Sequence, residues 1–290
     1  MEQKENKENV FTIEKPMPPL WMMHPYIHRY SIGWRMGYGE GYRDDLFDWK
    51  QTLTEEEKKQ YKEMFPAPKT WRGHYNEEEE DDDDDIDKYF YKTVEFWNNR
   101  GEMRYSRSRL LTEICKGSKP EFVFFQQETL SCLNTWQYAE FELDMDNYRS
   151  LGQYIAAEKA RFFEDKKREK QIMESQNREE IESLEKQIRN FDPVEWDKVK
   201  YSIALNGNYL KFSQNNEIRD FLLATENKVL IYTDSIDKIW GIGINESEKA
   251  TDPNCWQGEN LSGFALMEVR EEIRNVYKNY NKIDWSLFDK

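Results

Sequence analysis

Val229–Ile244 reads VLIYTDSIDKIWGIGI. The apolar run Val229, Leu230, Ile231 gives way to the polar turn Thr233, Asp234, Ser235, a pattern that predicts a short buried strand. Asp237 follows, then Trp240 among Gly241 and Gly243. Those glycines let a backbone or a ligand approach a large aromatic plane closely. An acid beside an indole face and a bare backbone can hold a sugar and a base. A strand end closed by a core tryptophan fits the same letters, and this stretch alone does not choose between them.

Working outward, NEIRDFLLAT reads as a short helix leading into the Val229 strand, and Gly263–Tyr277 as the last firm helix. Upstream, FVFF (Phe122–Phe125) predicts a buried strand, and Trp136–Asp144 a second one running into a turn near Asp146 and Asn147. Apolar spacing predicts a helix over Gln153–Ser175, and Ile181, Leu184 and Ile188 repeat the pattern. Pro193 then opens VEWDKVKYSIALNGNYLKF. Nothing repeats at a fixed period. Helices dominate, and the few short strands do not alternate regularly with them, so the expected fold class is α+β and mostly helical.

The expected organisation is a flexible arm over 1–19, an aromatic-rich N-terminal extension over 20–118, a main domain over 119–280 and a tail over 281–290. Within the extension, Thr54 followed by Glu55–Glu57 reads as a helix N-cap, and Pro66 and Pro68 as its stop. Glu77–Asp85 is nine consecutive acids; charges at that density repel and stay solvated, so a linker or insertion is expected.

Charged residues make up 34% of the chain and mean hydropathy is −1.01, yet aromatics reach 15%, which indicates a folded protein with an aromatic core. The net charge of −15 disfavours a non-specific grip on nucleic-acid backbones but leaves recognition of one extruded base or a free nucleotide open. Cys115, Cys132 and Cys255 lie far apart, which disfavours a zinc site or a disulfide framework. The first residues have no apolar signal region and no run is long enough to span a membrane, so no membrane partner and a cytoplasmic location are expected.

Gly33, Gly37, Gly39 and Gly41 superficially resemble a phosphate loop but lack its Gly-Lys-Ser/Thr ending, which favours aromatic–glycine packing. Glu40 within it is a candidate pocket carboxylate. His24 and His28 have helical metal spacing, but Pro25 between them spoils the helix and no third ligand is near. With only three histidines and no nucleophile elbow, catalysis would run on carboxylates and aromatic clamps.

From Phe122 to Val276 the ordered motifs YIAAEKARFF from Tyr154, Asn190-Phe-Asp-x3-Trp196, Lys211-Phe-x-Gln-Asn, Leu222–Thr225, Asp237-x2-Trp240-Gly-Ile-Gly and Asn260-x2-Gly-Phe-Ala-Leu-Met-Glu-Val-Arg270 make the sequence similar to the NADAR (NAD- and ADP-ribose-associated) family of N-glycosidases. The glycine-rich segment and EMFPAPKTW look like an N-terminal extension carried by some members. The resemblance implies cleavage of an N-glycosidic bond, in a riboflavin-pathway ribosylamino-pyrimidine or in ADP-ribose attached to guanine in DNA. The implied partner is thus a nucleotide or ADP-ribosyl ligand or a modified DNA base, and no cofactor is expected. Such cleavage builds oxocarbenium character on the ribose, which a carboxylate stabilises or uses to activate water.

On this resemblance Asp237 is the catalytic candidate, and Trp196, Trp240 and Gly241 fall on pocket positions. Three positions depart from the family pattern. Its catalytic Glu is replaced by Gly152, a second acid by Tyr232, and a Gly-Arg pair by Glu185-Lys186, which keeps one cation without the bidentate fork. The alternative implied by the two lost acids is a module that binds ADP-ribose or NAD without cleaving it. Glu40, Glu158 or Asp237 are the carboxylates able to substitute, with an exposed helix position the competing expectation for Glu158.

Overall fold

The computed structural model describes residues 11–75, 103–126 and 131–288; the acidic run Glu77–Asp85 lies outside the described residues. The described chain is α+β. Four helices come first: α1 (Leu20–Met23), α2 (Gly33–Met36), α3 (Glu40–Gln51) and α4 (Glu55–Met64). Helix α5 (Arg107–Cys115), strand β1 (Phe122–Phe125) and the strands β2 (Phe141–Leu143) and β3 (Asp146–Tyr148) follow. Then come α6 (Leu151–Phe162), α7 (Lys166–Glu174), α8 (Arg178–Glu185), α9 (Pro193–Gln214), α10 (Asn216–Ala224), β4 (Val229–Tyr232) and α11 (Leu261–Val276). No helix among the described residues is long and apolar enough to cross a membrane.

Local chemistry sets most boundaries. Thr54 and Glu57 form a complete capping box at the start of α4. The helix expected over Gln153–Ser175 is two helices, because Glu164 takes a left-handed φ of 57° and Asp165 caps a fresh start by accepting from Arg168 N. The strand expected over Trp136–Asp144 shrinks to β2, since Asp144 and Met145 both have positive φ and turn the chain at once into antiparallel β3. Strand β1 pairs parallel with β4, Phe122 opposite Val229 and Phe125 opposite Tyr232. Gly263 lets α11 cross β4 at contact: a Cβ there would lie 2.0 Å from the Leu230 carbonyl oxygen.

Two hydrophobic clusters result. The larger joins Trp21, Trp49, Phe65 and Trp71 of the extension to β4 and α11; the smaller holds Phe141, Tyr148, Tyr154 and Ile172. Helix α9 serves both, giving Leu205 and Phe212 to the first and Ile203 and Leu210 to the second. A helix apolar on opposite faces belongs in the interior, and α9 is buried along most of its length. The arm expected to be flexible is packed from Phe11 onward: Ile13 and Met17 are buried, and Phe11 stacks on Phe288 at 5.5 Å. The physical reason is the apolar residues interleaved in its polar sequence.

Candidate active site

A cavity of about 700 Å³ opens beside α9, where Ala204 and Asn208 form its floor. Its walls are the start of α6 (Leu151, Gly152, Ile155), one face of α8 with Lys186, the loop after β4, and the start of α11. The volume suits a nucleotide-sized ligand.

The loop after β4 carries the acids. Asp234 Oδ1 accepts from the backbone N–H of Ile236 (2.7 Å) and Asp237 (2.9 Å). Asp237 Oδ1 then accepts from Ile239 N (2.9 Å) and Trp240 N (2.8 Å). Two successive side-chain turns thus fix both carboxylates and the indole that follows. Below them Asn260, at a left-handed φ of 58°, works as a spare piece of strand: its Oδ1 accepts from Tyr232 N (3.0 Å) and its Nδ2 donates to the Leu230 carbonyl (2.9 Å). Ser262 N donates to the Trp240 carbonyl at 3.0 Å, tying the loop to α11.

Tyr232 ends β4 inside this cavity, and its hydroxyl donates to Asp234 Oδ2 at 3.3 Å. Burial, then the Asp234 and Asp237 carboxylates, push the phenol far above its usual pKa, so it stays a neutral donor. Helix α8 and its C-cap bring two cations, Arg178 and Lys186, and two further acids: Arg178 Nε donates to Glu182 at 2.8 Å, and Glu185 accepts from Lys159 at 2.8 Å. Lys186 lines the cavity and is exposed.

Gly152 explains itself by what covers it. A Cβ there would fall 2.6 Å from Cδ2 and 2.7 Å from Cε2 and Cε3 of Trp136, so the indole fills the space of any side chain at this position. The Gly152 N–H donates to the Thr135 carbonyl at 2.9 Å, drawing that loop onto the helix start. On Trp136 lies the Arg178 guanidinium, 5.4 Å from the ring. The loop is braced from within by Lys211, fully buried, whose Nζ donates to the carbonyls of Cys132 (2.7 Å) and Asn134 (3.2 Å). Burial holds the Lys211 pKa down at about 8.

Of the residues singled out from sequence, Gly152, Lys186, Tyr232, Asp237 and Trp240 come together on the cavity wall. Trp196 does not. It lies half-buried against Phe162, with Lys159 Nζ 5.5 Å from its ring. Eight residues of helix separate it from Ala204, roughly 12 Å at the helical rise. Gly241 is packed behind the wall instead of lining it; a Cβ there would meet the Asp237 carbonyl at 2.9 Å. Glu40 is exposed at the start of α3 and lines no part of the cavity.

Glu158, for which an exposed position was the competing expectation, is buried and paired with Arg161, itself shared with Glu169 and Asp146. His24 bonds to the Tyr26 hydroxyl at 2.8 Å, and the glycine-rich segment packs on Trp34, which a Cβ on Gly39 would strike at 2.4 Å.

Sequence reasoning missed Trp136, Arg178, Glu182, Asn208 and Asp234. Asp234 had a signal, the Asp-x2-Asp spacing ahead of the tryptophan; the others reach the cavity only through folding. Asn208 donates to the Ala204 carbonyl at 2.9 Å, while its buried Oδ1 has no hydrogen-bond partner among the described residues.

A family model described as the NADAR domain matches residues 122–274. N-glycosidase R617 of Acanthamoeba polyphaga mimivirus is 43% identical over 141 residues, 48% of this chain and 79% of that protein. N-glycosidase Npun_R5314 of Nostoc punctiforme is 37% identical over 82 residues, covering 28% of this chain and 46% of that protein. The NMR structure of the E. coli protein YbiA aligns with a TM-score of 0.44 at 22% identity, over 54% of this chain and 86% of that one.

Proposed function

Because the chain belongs to the NADAR domain family, we propose that it is an N-glycosidase, hydrolysing the bond between a ribose C1′ and the nitrogen of a base in a ribosylated or ADP-ribosylated substrate. The observation that carries this is the Asp237 carboxylate, oriented by two backbone N–H groups on the wall of a nucleotide-sized cavity that it shares with the indoles of Trp240 and Trp136.

The chemistry follows from those groups. The base lies against the Trp240 indole, where stacking contributes about 1–3 kcal/mol. As the C1′–N bond breaks, its electron pair leaves on the base nitrogen, which takes a proton from solvent, and positive charge builds on the ribose. Asp237 stabilises that charge and accepts a proton from the water attacking C1′. Asp234, steadied by the Tyr232 hydroxyl, adds a second negative charge nearby. Arg178 and Lys186 are the cations that would meet the substrate's phosphates.

The departures at positions 152 and 232 do not favour a module that only binds. Trp136 occupies the space above Gly152, Tyr232 supplies a donor to Asp234, and four carboxylates, Glu182, Glu185, Asp234 and Asp237, line the cavity.

The test is incubation of the full chain with an oligonucleotide carrying ADP-ribosylated guanine and, separately, with a riboflavin-pathway ribosylamino-pyrimidine. Release of base or sugar is followed by chromatography. Turnover of one substrate that disappears in Asp237→Asn and falls in Trp240→Ala supports the reading. Absence of turnover on both, with either ligand retained tightly, overturns it in favour of a binding module.

A further inference from the structure

We propose a second ligand site in the N-terminal extension, shaped for a phosphorylated, ring-bearing anion of mononucleotide size. It is a cavity of about 470 Å³ between the end of α3, α4 and the segment reaching Tyr75. None of the residues lining it lines the candidate active site.

Its charge runs against that of the chain. In a protein of net charge −15, this wall carries Lys50, Lys58, Lys59 and Lys62 against a single carboxylate, Glu55. Glu55 is already taken by Lys58 at 2.7 Å. Lys50, Lys59 and Lys62 form no ion pair among the described residues, and Lys62 shares the field of the Glu55 that Lys58 already holds. Among the described residues the Lys50 ammonium lies over two ring faces, 5.1 Å from Tyr61 and 5.4 Å from Tyr75. Lys62 sits 5.7 Å from the Tyr75 ring. Like charges gathered without counter-ions raise each other's energy, and a bound polyanion relieves that cost.

Two neighbours register the same field. Burial and then Lys62 hold the Lys50 pKa down at about 8; burial, then Lys50 and Arg29, hold His74 at about 3.

The aromatic content gives the ligand its second half. Phe47 is 61% exposed at the rim, and Tyr75 and His74 line the wall, so a flat ring has surfaces to lie against while its phosphates meet the lysines. The volume falls within the range of ordinary nucleotide and cofactor pockets.

The probe is ADP, with adenosine and inorganic pyrophosphate as its two halves, titrated by calorimetry into the full chain at low and moderate salt. Trp240→Ala is used alongside, so that binding in the first cavity is separated from the second. The expected result is ADP binding that survives Trp240→Ala, weakens with salt, and falls about tenfold in Lys50→Gln and in the surface pair Lys59→Gln/Lys62→Gln. A retained melting temperature shows that those chains are folded. Unchanged affinity in both lysine variants overturns the proposal, as does equal binding of adenosine.

Nine acids begin two residues after Tyr75, so the titration is repeated with Glu77–Asp85 replaced by neutral residues. Binding with the acids present, and tighter without them, supports the site. Binding only after their removal would mean that the chain's own carboxylates fill the cavity, and would overturn a small-molecule ligand.

Discussion

Replacing Gly152 with alanine adds one methyl group where Trp136 already stands. The new Cβ would lie 2.6–2.7 Å from three ring atoms of the indole, against an ordinary carbon contact of about 3.5–4.0 Å. The ring must therefore retreat by about 1 Å from the start of α6, which disturbs its contact with the Arg178 guanidinium. For stability two effects oppose: alanine gains up to about 1 kcal/mol of helix propensity, less in a first turn, while overpacking costs about 1–3 kcal/mol. A small net destabilisation is expected, near 1 kcal/mol. The effect on catalysis is larger, since a displacement of about 1 Å in a positioning group costs on the order of 100-fold.

The assay pairs a thermal melt with kcat/KM for base release. Gly152→Glu should be worse than Gly152→Ala, because its longer side chain must evict the indole altogether; it will not restore the family acid. Gly152→Ala combined with Trp136→Ala removes the clash and should be less harmful than the sum of the two single changes. Wild-type kcat/KM and melting temperature in Gly152→Ala would refute the claim that Trp136 covers this position.

Asn260→Ala deprives Tyr232 N–H and the Leu230 carbonyl of their buried partner and should cost about 2–5 kcal/mol by chemical denaturation. Asn260→Gly loses the same bonds but tolerates the left-handed backbone, so it should be about 1 kcal/mol less harmful; a reversed order would exclude backbone strain at this site. Asp165 accepts from Arg189 Nη2 and from the N–H groups of Arg189 and Arg168, which together hold its carboxyl down at about 2. A depressed acid stabilises the fold above its unfolded pKa, so this contribution is lost as pH falls from about 4 toward 2. Asp165→Ala should therefore cost about 1–2 kcal/mol at pH 7 and flatten the acid limb of the stability curve; an unchanged acid limb would contradict the pairing.

Much of this was legible from residue order. The Val229 run read as a strand because β-branched Val229 and Ile231 are followed at once by turn formers, and the structure makes it β4. The motif put Asp237 three residues before Trp240, and the structure shows that this spacing is a turn closed by the Asp237 carboxylate. Thr54 and Glu57 announced a helix start through chemistry confined to four residues. The break at Glu164 was harder to see, since periodicity ran on through it while the backbone did not. Trp196 illustrates a motif position that does not specify direction: on α9 it lies a long way from the cavity floor, and only the packing of α6 against that helix decides what it touches.

What the sequence determined by itself is therefore local: the main strand and helix identities, caps, and the family motifs with their acid–indole spacing, each set by neighbours in the chain. Tertiary structure alone decided that Trp136 lies over Gly152, that Arg178 and Lys186 line the same cavity as Asp237, and that four lysines of an acidic protein share a cavity. Those meetings join segments tens of residues apart. They depend on how two hydrophobic clusters close around α9, a sum of many weak contacts that no single stretch of residues records.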